Sequence, residues 1–227
     1  MTPAFTAEGH AMSGTLDFFF EFASSYSYPA AMRIGEVARS AGVNVRWRPF
    51  LLGPIFKLQG FDTSPFNVFQ DKGRYMWHDL ARTCEGLGLP FQRPDPFPQN
   101  GLLAARVAHV GLAQDWGEAF CRAVFTAEFG QGREIGNEHV IRELLVGLKQ
   151  TPEGVLARAR SDEIKNALRA ATEAAQRLGI FGAPNFVVGD ELFWGNDRLE
   201  QAIKYALQRS RTSDREAGVT GTFDQDH

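Results

Sequence analysis

Leu16-Asp17-Phe18-Phe19-Phe20-Glu21-Phe22-Ala23 runs directly into Ser24-Ser25-Tyr26-Ser27-Tyr28, a hydrophobic strand ending in a cluster of small polar residues. Consecutive phenylalanines fit a strand covered on both faces, as in the interior of a mixed or parallel sheet. A helix follows from about Tyr28 to Ala31 onward, because Ala30, Ala31, Ile34, Val37 and Ala38 fall on one helical stripe. Gly42 ends that helix with a left-handed cap. A second strand, Val43 to Phe50, closes at Pro49 and the Leu52-Gly53-Pro54 turn. The outcome is a β–α–β unit, whose strands pair in parallel through a right-handed crossover.

Beyond this unit the strand pattern disappears. Helices are predicted at about Lys72 to Gly86, Gly101 to Leu112, Trp116 to Glu128, Glu138 to Leu148, Pro152 to Arg158 and Asp162 to Leu178. Thr151-Pro152 places a capping hydroxyl before a proline at the first helical position. Ser161 precedes Asp162 and Glu163, whose charges suit the positive end of a helix. Pro90 to Asn100 carries four prolines and reads as a loop. The chain returns to strand at Phe186 to Val188 and Glu191 to Trp194, joined by a Gly189-Asp190 hairpin turn. Asp197 and Glu200 have capping-box spacing and open a closing helix to about Leu207.

The resulting division is a flexible leader over 1–14, a split α/β domain over 15–60 and 180–207, an all-helical insertion over 61–179 and a polar, disordered tail over 208–227.

Composition narrows the function classes. A 227-residue chain with 44% hydrophobic content can bury a full core. The net charge of −3, without a basic stripe, argues against nucleic acid as a partner. No apolar run approaches the ~18 residues of a membrane span, and the N-terminus lacks the pattern of a secretory signal. Cys84 and Cys121 lie in separate helical segments with no CxxC spacing and read as buried, inert thiols of a cytoplasmic protein. The five histidines show no metal-ligand spacing, so no metal site is expected. Gly130-Gln131-Gly132-Arg133 fits no phosphate-binding fingerprint and reads as a loop between helices.

Five segments, in order, resemble the 2-hydroxychromene-2-carboxylate isomerases, relatives of kappa-class glutathione transferases within the DsbA-like thioredoxin folds. They are Phe18 to Tyr28, Trp47-Arg48-Pro49-Phe50-Leu51-Leu52-Gly53-Pro54-Ile55-Phe56-Lys57, Lys72-Gly73-Arg74-Tyr75-Met76, Phe181-Gly182-Ala183-Pro184-Asn185-Phe186-Val187-Val188, and Phe193-Trp194-Gly195-Asn196-Asp197-Arg198-Leu199. The resemblance covers about Leu16 to Leu207. It implies a thioredoxin-like (DsbA/kappa-type) domain with a large helical insertion, a glutathione cofactor, a small aromatic carboxylate substrate and a homodimer. The reaction it implies interconverts 2-hydroxychromene-2-carboxylate and trans-o-hydroxybenzylidenepyruvate through reversible thiolate addition. The alternatives are a kappa-like glutathione transferase or peroxidase, a DsbA-type oxidoreductase without its cysteines, and a non-catalytic binding module.

By that resemblance Ser24 stands where thioredoxin-like enzymes carry a nucleophilic cysteine, and Ser27 where the resolving cysteine would be. No internal disulfide can form. A serine at a helix N-terminus can instead stabilise the thiolate of a bound cofactor, since amide N–H groups and one hydroxyl favour the anion. Ser25 follows where relatives often have proline, so two hydroxyls compete for this role. Pro184 is expected to be cis, although only roughly one X–Pro bond in twenty is, with Ala183 offering its backbone to the cofactor. Asn196 and Asp197 are expected to hold the γ-glutamyl group, and Lys57 the substrate carboxylate. The polar loop contact stays open between Asp62 and Asn67.

Overall fold

A computed structural model of the chain describes residues 14–219. Strand β1, Gly14–Phe20, pairs in parallel with β2, Val43–Pro49, and helix α1, Ser27–Ser40, crosses between them. The hairpin strands β3, Asn185–Val188, and β4, Glu191–Trp194, complete a four-stranded sheet in the order β2-β1-β3-β4. β3 runs antiparallel to both β1 and β4, so the sheet is mixed.

The phenylalanines of β1 divide as a strand covered on both faces requires. Phe18 and Phe20 enter the larger core, where Phe18 stacks on Phe186 and meets Trp47 edge-on. Phe19 points to the opposite face and packs with Phe50, Ile55, Ala175 and Val187. Burying each phenylalanine stabilises the fold by roughly 1.5–3 kcal/mol.

All the chain between β2 and β3 that forms regular structure is helical: α2 Leu52–Leu58, α3 Pro65–Val68, α4 Gln70–Gly86, α5 Leu102–Leu112, α6 Gly117–Phe125, α7 Glu138–Gly147, α8 Pro152–Ala159 and α9 Asp162–Arg177. The first two were not expected. Their prolines sit at helix starts, where a missing N–H costs nothing, so residues read as turn and loop coil into short helices. Ser64 caps α3 by accepting from Phe66 N–H at 3.3 Å. Ser161 does so for α9, accepting from Ile164 N–H at 3.4 Å. α6 runs into a π-helical turn, Thr126–Gly130, within which the predicted helix to Glu128 ends.

Helix α10, Leu199–Val219, corrects two expectations. The polar stretch after Leu207 was expected to be a disordered tail, yet the helix continues to Val219; residues 220–227 and the leader before Gly14 lie outside the described residues. Ser210 and Thr212 bond back to the carbonyls of Leu207 and Gln208, both at 3.1 Å, and the Arg209 guanidinium packs over Gly189 of the hairpin turn. Gly189 has φ +61°, and a side chain there would collide with that guanidinium. The second correction concerns the start of α10. Glu200 forms an ion pair with Arg33 of α1 rather than a capping box with Asp197.

Candidate active site

The serine cluster and the proline loop meet although they lie far apart in sequence. The Ser24 hydroxyl donates to the Ala183 carbonyl at 3.0 Å, and the Ala183–Pro184 bond is cis. Two further cis bonds, Asp95–Pro96 and Phe97–Pro98, shape the proline-rich loop that was read only as a loop. Ser24 and Ser25 are both buried, but their hydroxyls diverge. Ser25 donates to the Met76 thioether on α4 at 3.1 Å, leaving Ser24 as the hydroxyl directed at the proline loop.

The proline loop is braced from two sides. The Asn185 side-chain amide donates to Gly182 C=O at 2.5 Å, and Gly195 N–H donates to Pro184 C=O at 3.0 Å. Gly195 has φ +111°, and an added Cβ would lie 2.6 Å from Asp197 Oδ1, so only glycine permits this corner. The following Asn196–Arg198 3-10 turn is held from α1: Arg33 donates to Asn196 Oδ1 at 3.2 Å and to Asn196 C=O at 2.7 Å. Arg198 pairs with Asp197 at 2.9 Å.

Ser24, Asp62, Ala183, Asn196 and Asp197 line one cavity of about 1520 Å³. Pro184 is buried beneath it. Lys57 and Asn67 do not line it: both are exposed, and the Asn67 amide donates to Thr63 and to Phe97 C=O. Of the two loop candidates, Asp62 therefore faces the cavity.

Three lining groups escaped sequence reasoning. Lys72 is paired with no carboxylate among the described residues and lies 4.8 Å from the Phe69 ring centroid. Tyr26 donates to Asp79 at 2.8 Å; burial, then Asp79, hold its phenol well above the usual range, so it stays protonated. Lys72, Tyr75, Met76, Asp79 and Thr83 follow one face of α4, a helical spacing already present in the sequence. Only the fold shows that this face looks into the site. The third is Glu21, three residues before Ser24. Burial raises its carboxyl from 4.5 to about 7, partly offset by the Ala23 N–H that it accepts.

Cys84 and Cys121 are buried free thiols, both with acidity suppressed by burial, and neither lines the cavity. A smaller cleft of about 580 Å³ beside β2 is lined by Arg46, Arg48 and Arg122. Asp17 and Glu118 engage those guanidinium groups, so the cleft presents no free cation. Among the described residues no group of three or more His, Cys, Asp or Glu is placed to hold a metal ion, and no helix is long and apolar enough to cross a membrane.

The description "DSBA-like thioredoxin domain" matches residues 15–208. A 2-hydroxychromene-2-carboxylate isomerase of Sphingobium xenophagum is 30% identical over 197 residues, spanning 86% of this chain and all of the relative. The chain belongs to the 2-hydroxychromene-2-carboxylate isomerase family of DsbA-like thioredoxin folds. A solved isomerase of that name superposes with a TM-score of 0.76 at 26% identity, covering 89% of this chain and 98% of the other. Glutathione S-transferase kappa 1 of Homo sapiens is 26% identical over 200 residues, 82% of this chain and 88% of its own. The relatives' names are thus isomerase and glutathione transferase.

Proposed function

We propose that the protein is a glutathione-dependent isomerase that interconverts 2-hydroxychromene-2-carboxylate and trans-o-hydroxybenzylidenepyruvate. The observation that carries this reading is the Ser24 hydroxyl facing the carbonyl before cis-Pro184 at the edge of a large, mostly apolar-walled cavity. The position can stabilise a sulfur anion, yet Ser24 carries no thiol of its own.

The residues present fit a γ-glutamyl thiol. Asp197 would take the ammonium of its γ-glutamyl end, beside the Asn196 turn that Arg33 steadies. Ala183 would pair with its cysteinyl backbone. Ser24 would turn its proton from the Ala183 carbonyl to the sulfur, favouring the thiolate. When bound, glutathione supplies a thiolate that adds reversibly to the unsaturated carbon, converting a double bond into a rotatable single bond. Lys72 takes over the carboxylate-holding role expected of Lys57, because it lines the cavity and Lys57 does not. Asp62 borders the same space.

The test is calorimetric titration with reduced glutathione, followed by spectrophotometric conversion of 2-hydroxychromene-2-carboxylate, for wild type, Ser24→Ala and Ser25→Ala. Loss of a single anion-stabilising donor lowers turnover by about 10²-fold, so Ser24→Ala is expected to fall by that amount and Ser25→Ala far less. Equal turnover in wild type and Ser24→Ala, or no glutathione binding by the folded protein, would sink the reading. A stable glutathione conjugate in place of the isomer would make the protein a transferase.

A further inference from the structure

The two side chains that follow Ser24 both reach across to helix α4. Ser25 donates to the Met76 thioether at 3.1 Å, and Tyr26, at the start of α1, donates to Asp79 Oδ2 at 2.8 Å. Met76 and Asp79 stand three residues apart and so share one face of α4. That face, from Lys72 through Tyr75 to Thr83, lines the cavity, and Tyr26 lines it too. The bond between Tyr26 and Asp79 therefore joins two parts of the cavity wall, and the function proposed above makes no use of it.

The partners fix the direction of this hydrogen bond. A carboxylate only accepts, so the phenol proton is committed to Asp79. Burial, then Asp79, keeps the phenol protonated. The other carboxylate oxygen is held as well: Arg82 donates to Asp79 Oδ1 at 3.3 Å, with its guanidinium 5.7 Å from the Tyr75 ring centroid. Tyr26 itself is only partly buried. What it offers a ligand is the lone pairs of Oη, an acceptor and not a donor. A hydroxyl can donate to that oxygen, whereas a carbonyl or carboxylate oxygen would meet it lone pair to lone pair.

We propose that Tyr26, oriented by Asp79, accepts a hydrogen bond from a hydroxyl group of the substrate, so that the cavity selects hydroxyaryl carboxylates. The inference rests on the reading of this cavity as a site for a small aromatic acid, and it supplies the end opposite the carboxylate. Lys72 precedes Asp79 by two turns of α4, about 10 Å along the helix at 1.5 Å per residue. A carboxylate at Lys72 and a hydroxyl at Tyr26 thus mark two ends of one molecule, with Phe66, Tyr75 and Phe97 lining the space as apolar surface. Both species of the proposed interconversion carry a hydroxyl. Tyr26 touches the substrate, and Asp79 acts through Tyr26 as a positioning residue. A site built to bond a hydroxyl discriminates against the analogue that lacks it, which an apolar wall does only weakly.

The experiment measures calorimetrically, at pH 7 and without glutathione, the binding of 2-hydroxycinnamate and of cinnamate to the full chain. The two acids differ only in the hydroxyl. Wild type is expected to bind the hydroxylated acid about tenfold more tightly, the worth of one hydrogen bond. Tyr26→Phe is expected to bind both equally, with its affinity for cinnamate unchanged. Asp79→Ala frees the phenol proton and should lose the preference, whereas Asp79→Asn keeps an oxygen that accepts from Tyr26 and should retain it. Equal binding by wild type, a preference that survives in Tyr26→Phe, or binding of neither acid overturns the inference. A preference kept in Asp79→Ala, with both affinities lowered alike, overturns the orienting role of Asp79. No thiol takes part, so the two readings fail separately. Glutathione binding without discrimination between the acids sinks this inference alone, and discrimination without glutathione binding sinks the glutathione-dependent reaction alone.

Discussion

At the scale of single residues, the acids of this protein fall into two groups with opposite pH signatures. Glu138 and Glu143 are held below their ordinary range by hydrogen bonds from Arg142 and Arg133 respectively. What they contribute is present above about pH 4.5 and lost as pH falls. Glu21 behaves in the other sense. Its folded carboxyl is raised to about 7, so the folded state binds the extra proton; its contribution is full below 4.5 and is lost as pH rises through 7. The two windows do not overlap. The Glu21 effect amounts to about 2–3 kcal/mol at 1.36 kcal/mol per pKa unit, reduced somewhat by its partial exposure to the cavity. Denaturant midpoints should therefore decline between pH 5 and pH 8 in wild type and less steeply in Glu21→Gln, where Glu128, also raised by burial, keeps its share of the decline. Declines of equal steepness in both proteins would assign the whole loss to Glu128 and other groups. Sequence could not have singled out Glu21, since an acid at the end of a strand looks solvated until the Gly101 loop is seen to cover it. Ser24 was reached through the family resemblance: local pattern locates the strand-to-helix turn but leaves Ser24 and Ser25 competing, and only the fold turns Ser25 toward Met76.

At the scale of elements, the strands and long helices followed from periodicity, and most errors came where a short segment takes its form from its neighbours. β1, with its phenylalanines, and α1, with its alanine stripe, were readable because each repeats a pattern over several residues. α2 and α3 are too short to show a period, and α3 is closed against α4 by a contact absent from sequence. A Cβ on Gly73 would lie 2.3 Å from the Phe66 carbonyl, so α3 and α4 can meet only at glycine. The misread start of α10 has a similar cause. Asp197 and Glu200 have the spacing of a cap, but Arg33 on α1 captures Glu200 and Asn196 first. This brace makes α1 a support for the turn that would receive the γ-glutamyl end of glutathione. Replacing Arg33 with methionine keeps the apolar stem and removes the donors. The turn should then loosen and the KM for glutathione rise about tenfold, the equivalent of 1.4 kcal/mol, with kcat nearly unchanged. An unchanged KM would mean that the turn holds its shape without α1.

At the scale of the whole molecule, the helical region is continuous with the sheet. The chain from 61 to 179 reads in sequence as an insertion, yet its helices complete the core that β1 begins. Phe20 and Phe22 lie 5.8 and 5.1 Å from the Phe125 ring of α6, and Tyr28 of α1 stacks on Phe129 at 5.8 Å. All five rings are fully buried in one cluster that also takes in α5, α7, α8 and α10. Phe22 and Tyr28 flank the Ser24 turn in the chain, so packing of the helical region also anchors the segment that carries Ser24. Separate cores would allow the helices to melt while the sheet persisted; a shared aromatic core removes that option. Unfolding is therefore expected as a single cooperative transition, with far-ultraviolet circular dichroism and tryptophan fluorescence changing at the same denaturant concentration. Phe125→Ala deletes a ring that touches both parts, a change that costs about 3–5 kcal/mol in comparable cores. Because the ring is shared, the loss should lower the midpoint seen by both probes equally. If the variant instead split the transition, with helical signal lost before the tryptophan signal, the helices would form a separate unit.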